Sequence, residues 1–163
     1  MIAYEPLPWH DLFTAAAGAA ATLAGLIFVA VSLNHEQILK QAALPALAAR
    51  SVSVLVGLVI VSLLGLAPGQ DSRALGTEIL VLGALLLVGA IATTMRAMNS
   101  ETRLMWKISL LSVAVFSTAP MVIGGISVLA RAGGGLYWVL TEMVCGLAAS
   151  IYYAWILLIE IRR

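Results

Sequence analysis

Five long apolar segments, joined by short polar or glycine-rich connections, constrain this 163-residue sequence more than any other feature. A helix needs ~20 mostly apolar residues to cross the ~30 Å hydrocarbon core of a bilayer, because it rises ~1.5 Å per residue. We therefore predict an all-α, polytopic integral membrane helical bundle that forms a single transmembrane domain over residues 1–163. Its five transmembrane helices are expected at about 12–33, 45–67, 74–97, 108–130 and 136–159.

The composition excludes several other classes of protein. Hydrophobic residues make up 62% of the chain and charged residues 10%, whereas soluble domains average ~45–50% and ~25%. Too few polar residues remain to cover a separate water-soluble domain. The formal net charge of +1, without basic clusters, excludes a nucleic-acid partner, because phosphate binding needs Lys and Arg gathered on one surface. The partner that this composition implies is membrane lipid.

The basic residues predict how the bundle is oriented. With five spans, Arg73 and Arg131 lie on one side of the membrane and seven basic residues lie on the other. Because Lys and Arg in short loops stay cytoplasmic, we expect the N-terminus outside and the C-terminus in the cytoplasm. A four-span alternative with a re-entrant second segment would leave backbone groups without hydrogen bonds in lipid. The seven residues expected on the cytoplasmic side are Lys40, Arg50, Arg96, Arg103, Lys107, Arg162 and Arg163.

No catalytic or metal-binding motif is complete in the sequence. His35-Glu36 begins like the helix of zinc proteases, but Leu39 stands where the second histidine is required. The glycines at 133–135 lack the spacing and the following lysine of a phosphate-binding loop. The single cysteine, Cys145, cannot form an internal disulfide. We therefore expect no enzyme activity, no cofactor and no metal.

Two glutamates lie inside the predicted spans and suggest an ion pathway. Glu142 is six residues inside the fifth segment, and Glu78 is about one turn inside the third segment from the same outer side. A carboxylate at such a depth costs a few kcal/mol unless it is hydrated, paired or protonated. The functional interpretation is an acidic outer mouth that attracts cations or passes protons. The structural alternative is an ion pair, with Arg131 reaching from the hairpin to Glu142.

The fourth segment carries the sequence Ser117-Thr118-Ala119-Pro120 near its midpoint. Pro120 has no backbone N–H, so the carbonyl of Phe116 loses its usual helical partner. We expect a kink with a polar lining in the middle of the membrane. Transporters and channels use such breaks to coordinate ions, whereas the alternative is an ordinary proline kink whose freed carbonyl is satisfied by Ser117, Thr118 or water.

Small residues form a stripe on one face of the first segment. The stripe includes Thr14, Gly18, Thr22 and Gly25, and Gly146 lies on a similar, weaker face of the fifth segment. Small residues let helices approach closely or line a narrow path, so we predict that the first helix is central. The second segment, rich in Leu and Val, is predicted to face lipid, with Arg50 extending its side chain to the phosphates.

The sequence around the first segment resembles a known group of membrane proteins. The similarity lies in Trp9-His10-Asp11-Leu12-Phe13, in the Ala/Gly tract that follows and in the run Gly25 to Asn34, about the first fifth of the chain. These residues resemble the first helix of small bacterial multi-pass membrane proteins, some of which are labelled modulators of a membrane protease. The resemblance implies a location in the bacterial inner membrane and assigns no functional residue.

Two functions from different classes fit these features. The first is a channel- or transporter-like assembly that self-associates as a homo-oligomer, with the first helix near the path and an acidic outer mouth. The second is a non-conducting accessory or modulatory subunit of a larger membrane complex, which would use the same small-residue faces to bind a membrane-protein partner.

Overall fold

The chain is all-helical in the part that the computed structural model describes, residues 2–34, 38, 43–98, 111–112 and 115–160, and these contain no strand. Five α-helices follow one another, preceded by two short 3₁₀ turns at Ile2–Tyr4 and Leu7–Trp9. The predicted all-α class is therefore confirmed. The helices are α1 (His10–Leu33), α2 (Ala43–Gly65), α3 (Ser72–Met98), α4 (Ala119–Ala130) and α5 (Leu136–Glu160).

Three helical stretches in the described residues are long and apolar enough to cross a bilayer. They are Leu7–Leu33, Ala48–Gly65 and Ser72–Met95. Two shorter apolar helices, Ala119–Ala130 and Leu136–Tyr152, follow them. This pattern is compatible with a membrane protein, while five complete spans and the orientation of the termini stay predictions.

The fourth segment differs from the single helix expected over 108–130. The chain leaves the helix at Ser117 and Thr118, and α4 begins at Ala119 with Pro120 in its first turn. Thr118 has a φ of −141°, far from the helical value. Proline has no backbone N–H to donate within a helix, so it is tolerated in the first turn of a helix but not in its interior. Residues 99–110 and 113–114 of this region lie outside the described part of the chain.

The helix α2 lies at the centre of the bundle, between α1, α3 and α5, and α4 packs between α3 and α5. The share of residues buried is 56% in the span of α2 but 17% in that of α1. The predictions of a central first helix and a lipid-facing second helix are therefore wrong for the single chain. The prediction for the second helix failed because apolar side chains suit lipid and a protein core equally well. Leu55, Leu58 and Val61 of α2 are all fully buried.

The tightest helix contact joins α3 to α4. A Cβ atom on Gly125 would lie 2.6 Å from the backbone nitrogen of Leu80, and one on Gly83 would lie 3.0 Å from that of Val122. These glycines let the two backbones approach closely, as small residues do in membrane helix pairs. The contact fixes the position of the first turn of α4, which carries part of the site described next.

The hairpin between α4 and α5 is built from backbone that favours glycine. Gly133, Gly134 and Gly135 all have positive φ values, and Arg131 ends α4 in the left-handed region at 50°. Ser127 of α4 accepts a hydrogen bond from the backbone N–H of Gly135 at 2.7 Å. The hairpin therefore holds the end of α4 and the start of α5 in a fixed relation, which positions Glu142 opposite the start of α4.

Candidate functional site

Four buried polar residues from three parts of the chain meet in the bundle interior. Arg50 of α2 is 8% exposed and Glu142 of α5 is 1% exposed, and Ser117 and Thr118, just before α4, are buried as well. The guanidinium Nη2 of Arg50 donates a hydrogen bond to Ser117 Oγ at 2.7 Å. We call Arg50, Ser117, Thr118 and Glu142 the polar cluster. It brings together a cation, an acid and two hydroxyl groups inside the bundle.

The break before α4 creates the local environment of the polar cluster. The backbone N–H of Thr118 turns back to the carbonyl of Val115 at 3.1 Å, so the helix stops and restarts at Ala119. The first N–H groups of any helix have no partner inside that helix and carry a partial positive charge. The start of α4 therefore presents positive backbone dipoles to the interior of the bundle.

Glu142 lies beside these positive groups. The backbone N–H of Met121, in the first turn of α4, donates to the Glu142 carboxyl group, and the charge of Arg50 acts on the same carboxyl. The other carboxyl oxygen, Oε2, is fully buried and has no hydrogen-bond partner. A buried polar atom without a partner costs free energy and often marks a functional site. Glu142 therefore has one oxygen held by the protein and one available to a proton or another bound group.

Further buried hydroxyls extend the polar character along the contact between α2 and α5. Ser51 donates from Oγ to the backbone carbonyl of Ser150 at 3.3 Å. The Oγ atoms of Ser62 and Ser150 are buried without a hydrogen-bond partner. Ser51 and Ser62 are separated by ~16 Å along the helix axis at ~1.5 Å per residue, about half of the hydrocarbon core. Buried polar atoms therefore occur over this length of α2.

A crevice between α2 and α3 leads to the polar cluster from the side of the bundle. It has a volume of about 180 Å³, and its base includes the buried residues Arg50 and Thr118. Its mouth includes the exposed residues Ala49, Leu85 and Gly89. The full lining consists of Ala49, Arg50, Ser53, Val54, Leu85, Leu86, Gly89, Ala90, Thr93 and Thr118.

The structure separates the other predicted ionic residues from this cluster. Arg131 is exposed and lines a surface pocket with Tyr4, Glu5 and Ser72. Arg50 is the basic residue whose charge acts on Glu142. The left-handed turn at Arg131 carries its side chain to the surface. Glu78 is half-buried near the start of α3, where it accepts a hydrogen bond from Gln70 Nε2.

The small-residue faces of α1 and α5 have different surroundings. Thr14, Gly18, Thr22 and Gly25 are all exposed on α1, and a Cβ atom on either glycine would meet nothing within 4 Å. On α5, a Cβ atom on Gly146 would lie 3.1 Å from Val54 Cγ1 of α2. The α5 face therefore packs inside the chain, while the α1 face points away from it.

Sequence reasoning missed Arg50 as a member of the site. Its signal was a single charge seven residues inside the apolar helix α2, where a charged side chain is costly unless it is paired. In the described residues no group of three or more His, Cys, Asp or Glu side chains could hold a metal ion. No protein-family model, no curated protein and no solved structure matches this chain. We therefore infer a function from the chemistry of the polar cluster itself.

Proposed function

We propose that this protein is a transporter-like membrane protein that moves protons across the bilayer through the polar cluster. The observation that carries the proposal is Glu142, which is 1% exposed yet keeps one carboxyl oxygen without a hydrogen-bond partner. A carboxyl group is the side chain that can bind and release a proton at this position. The acidic outer mouth expected from the sequence stays a prediction.

The energetics of the membrane interior support a functional role for these charges. An Asp, Lys or Arg in the middle of a spanning helix costs ~2.5–3.5 kcal/mol on insertion scales, so charged groups persist there mainly where they serve ions, protons or substrates. Arg50 offsets the charge of an ionised Glu142, and the first turn of α4 contributes an N–H donor to the carboxyl. The arrangement resembles the interrupted helices whose ends bind ions in transporters.

The proposed setting is a bacterial inner membrane, crossed five times. Of the eight basic residues other than the buried Arg50, six fall on one side in this topology, which favours a cytoplasmic C-terminus and an external N-terminus. The resemblance of residues 9–34 to small bacterial multi-pass proteins supports the same location. In this orientation Glu142 lies ~9 Å below the outer end of α5, at ~1.5 Å per residue.

A second candidate function is that of a non-conducting accessory subunit, favoured by the exposed face of α1. Thr14, Gly18, Thr22 and Gly25 leave room for another helix to approach closely. The same face would serve self-association into a homo-oligomer in the transport proposal. The two candidates differ in whether proton movement depends on Glu142.

Proton flux into liposomes tests the proposal. Purified protein is reconstituted with a pH-sensitive dye inside the vesicles, and valinomycin with a potassium gradient imposes a membrane potential. We expect proton entry with the wild-type protein and its loss in Glu142→Gln, because the amide cannot bind a proton as the carboxyl does. The matched control is Glu78→Gln, which changes a half-buried acid outside the cluster and should conduct like the wild type.

Size-exclusion chromatography and helix content by circular dichroism show whether each variant is folded. A folded Glu142→Gln protein with undiminished proton flux contradicts the proposal. So does a wild-type protein that gives no flux above empty liposomes, an outcome that favours the accessory function.

A further inference from the structure

We propose that the surface pocket lined by Tyr4, Glu5, Ser72 and Arg131 binds the phosphate group of a phospholipid headgroup. These residues come from the N-terminal segment, from the start of α3 and from the end of α4. The pocket shares no lining residue with the polar cluster, so the proposal stands whether or not the protein moves protons.

The hairpin between α4 and α5 holds the N-terminal segment in place beside the pocket. A Cβ atom on Gly135 would lie 2.7 Å from Tyr4 Cδ1, so a glycine there lets the tyrosine ring pack on the hairpin backbone. The indole N–H of Trp9 donates to the carbonyl of Ile2 at 2.8 Å. The ring of Trp9 also meets that of Tyr137 edge-on, with the ring centroids 4.9 Å apart. Packing and hydrogen bonds therefore fix the position of Tyr4 in the lining.

Three donor groups in the lining can bind an anion. Arg131 contributes its guanidinium, and Ser72 contributes a hydroxyl group. The Tyr4 hydroxyl accepts a hydrogen bond from the backbone N–H of Gly134 at 3.5 Å and keeps its own proton to donate. Within the part of the chain that the structure describes, neither hydroxyl proton has an acceptor. A phosphate group offers several acceptor oxygens to these donors, and arginine is especially suited to bind them.

The charges and the size of the pocket determine which phosphate group fits. Arg131 is the one cation among the four lining residues, and Glu5 adds a carboxylate. A phosphate monoester carries close to two negative charges at neutral pH, whereas the phosphodiester of a phospholipid carries one. The single cation therefore favours the diester. The volume of about 220 Å³ equals about seven water molecules at ~30 Å³ each, enough for the phosphate and the first atoms esterified to it.

The position of the pocket favours a lipid over a free phosphate ion. Ser72 begins α3, and Tyr4 shortly precedes the apolar stretch that starts at Leu7. Tyr137 and Trp138, at the start of α5, lie at the same end of the bundle. Aromatic rings of this kind concentrate where a membrane protein meets the headgroups, and basic pockets between spanning helices bind lipid headgroups.

Native mass spectrometry of the detergent-purified protein, titrated with dioleoyl phosphatidylglycerol, tests the site. Arg73→Gln is the matched control for Arg131→Gln, because Arg73 is also exposed at this end of the bundle but does not line the pocket. We expect the first lipid to bind the wild type and Arg73→Gln with equal affinity. Arg131→Gln should bind it at least about tenfold more weakly, because charged hydrogen bonds are lost. Tyr4→Phe keeps the packed ring and should weaken binding about threefold.

Two further probes separate the phosphate group from the lipid that carries it. Dioleoylglycerol has the same chains without the phosphate and should bind at least about tenfold more weakly. Inorganic phosphate should not displace the bound lipid, and its displacement of the lipid would overturn the assignment to a phospholipid. Circular dichroism shows that each variant is folded. Equal affinity in the wild type and Arg131→Gln, an equal loss in Arg73→Gln, or equal binding of dioleoylglycerol overturns the proposal.

Discussion

Replacing Arg50 and Glu142, singly and together, measures whether the two buried groups act as a unit. Arg50→Met removes the guanidinium and leaves the Glu142 carboxyl, 1% exposed, without its neighbouring cation. Glu142→Leu removes the carboxyl group on which the charge of Arg50 acts. Groups that interact within one network show coupling energies of about 0.5–3 kcal/mol, whereas independent sites are additive within about 0.5 kcal/mol.

The expected coupling follows from these magnitudes. If the two groups were independent, the double variant would be destabilised by the sum of the two single losses. We expect it to be destabilised by about 1 kcal/mol less than that sum, because the charge of Arg50 acts on the buried Glu142 carboxyl group.

The free energies of unfolding are measured in mixed micelles. Unfolding is followed by the loss of the helical circular dichroism signal as SDS is added. The control cycle pairs Arg50→Met with Glu78→Leu, which lies outside the cluster and should be additive within about 0.5 kcal/mol. Additive energies in the Arg50 and Glu142 cycle would refute the claim that these residues form one charged unit.

Three further predictions concern packing, hydrogen bonding and topology. Gly125→Ala should destabilise the protein by about 1–3 kcal/mol, because the added methyl group overpacks against Leu80. Gly18→Ala, the control, should leave the free energy of unfolding unchanged or raised. Unfolding in SDS compares the two variants, and equal effects would contradict the close contact of α3 and α4. Ser117→Ala should lower the free energy of unfolding by about 1.5–3 kcal/mol in the same assay, because Arg50 loses a charge-assisted hydrogen bond. An unchanged free energy of unfolding would count against that bond. Glu5→Cys in a Cys145→Ser background should react with an impermeant maleimide added outside intact cells, and Lys107→Cys only after lysis, while the reverse pattern would refute the predicted orientation.

The sequence predicted the helical class well because the length of apolar segments has a direct physical meaning in a bilayer. The packing of the helices was predicted poorly, since Leu and Val suit lipid and protein core equally. The position of α2 depends on contacts such as Gly146 against Val54, which pair residues far apart in the chain. Composition and spacing carry no information about which helix faces meet.

The candidate site was predictable in part. Glu142, Ser117 and Thr118 stood out because a carboxyl group and a proline-interrupted helix are unusual inside a membrane. Arg50 was interpreted as a surface-reaching residue, because an arginine within a few turns of a helix end can extend to the phosphates. Its burial and its tertiary contact with Ser117 show that the side chain turns inward.

The initial rate of potential-driven proton entry into liposomes, compared between wild-type protein and Glu142→Gln, tests the central claim most directly. If the carboxyl group of Glu142 is essential, the rate of proton entry should fall to that of empty vesicles in Glu142→Gln. Glu78→Gln should keep the wild-type rate. Equal rates in the wild type and in a folded Glu142→Gln protein would contradict the assignment of the polar cluster as the path of the proton.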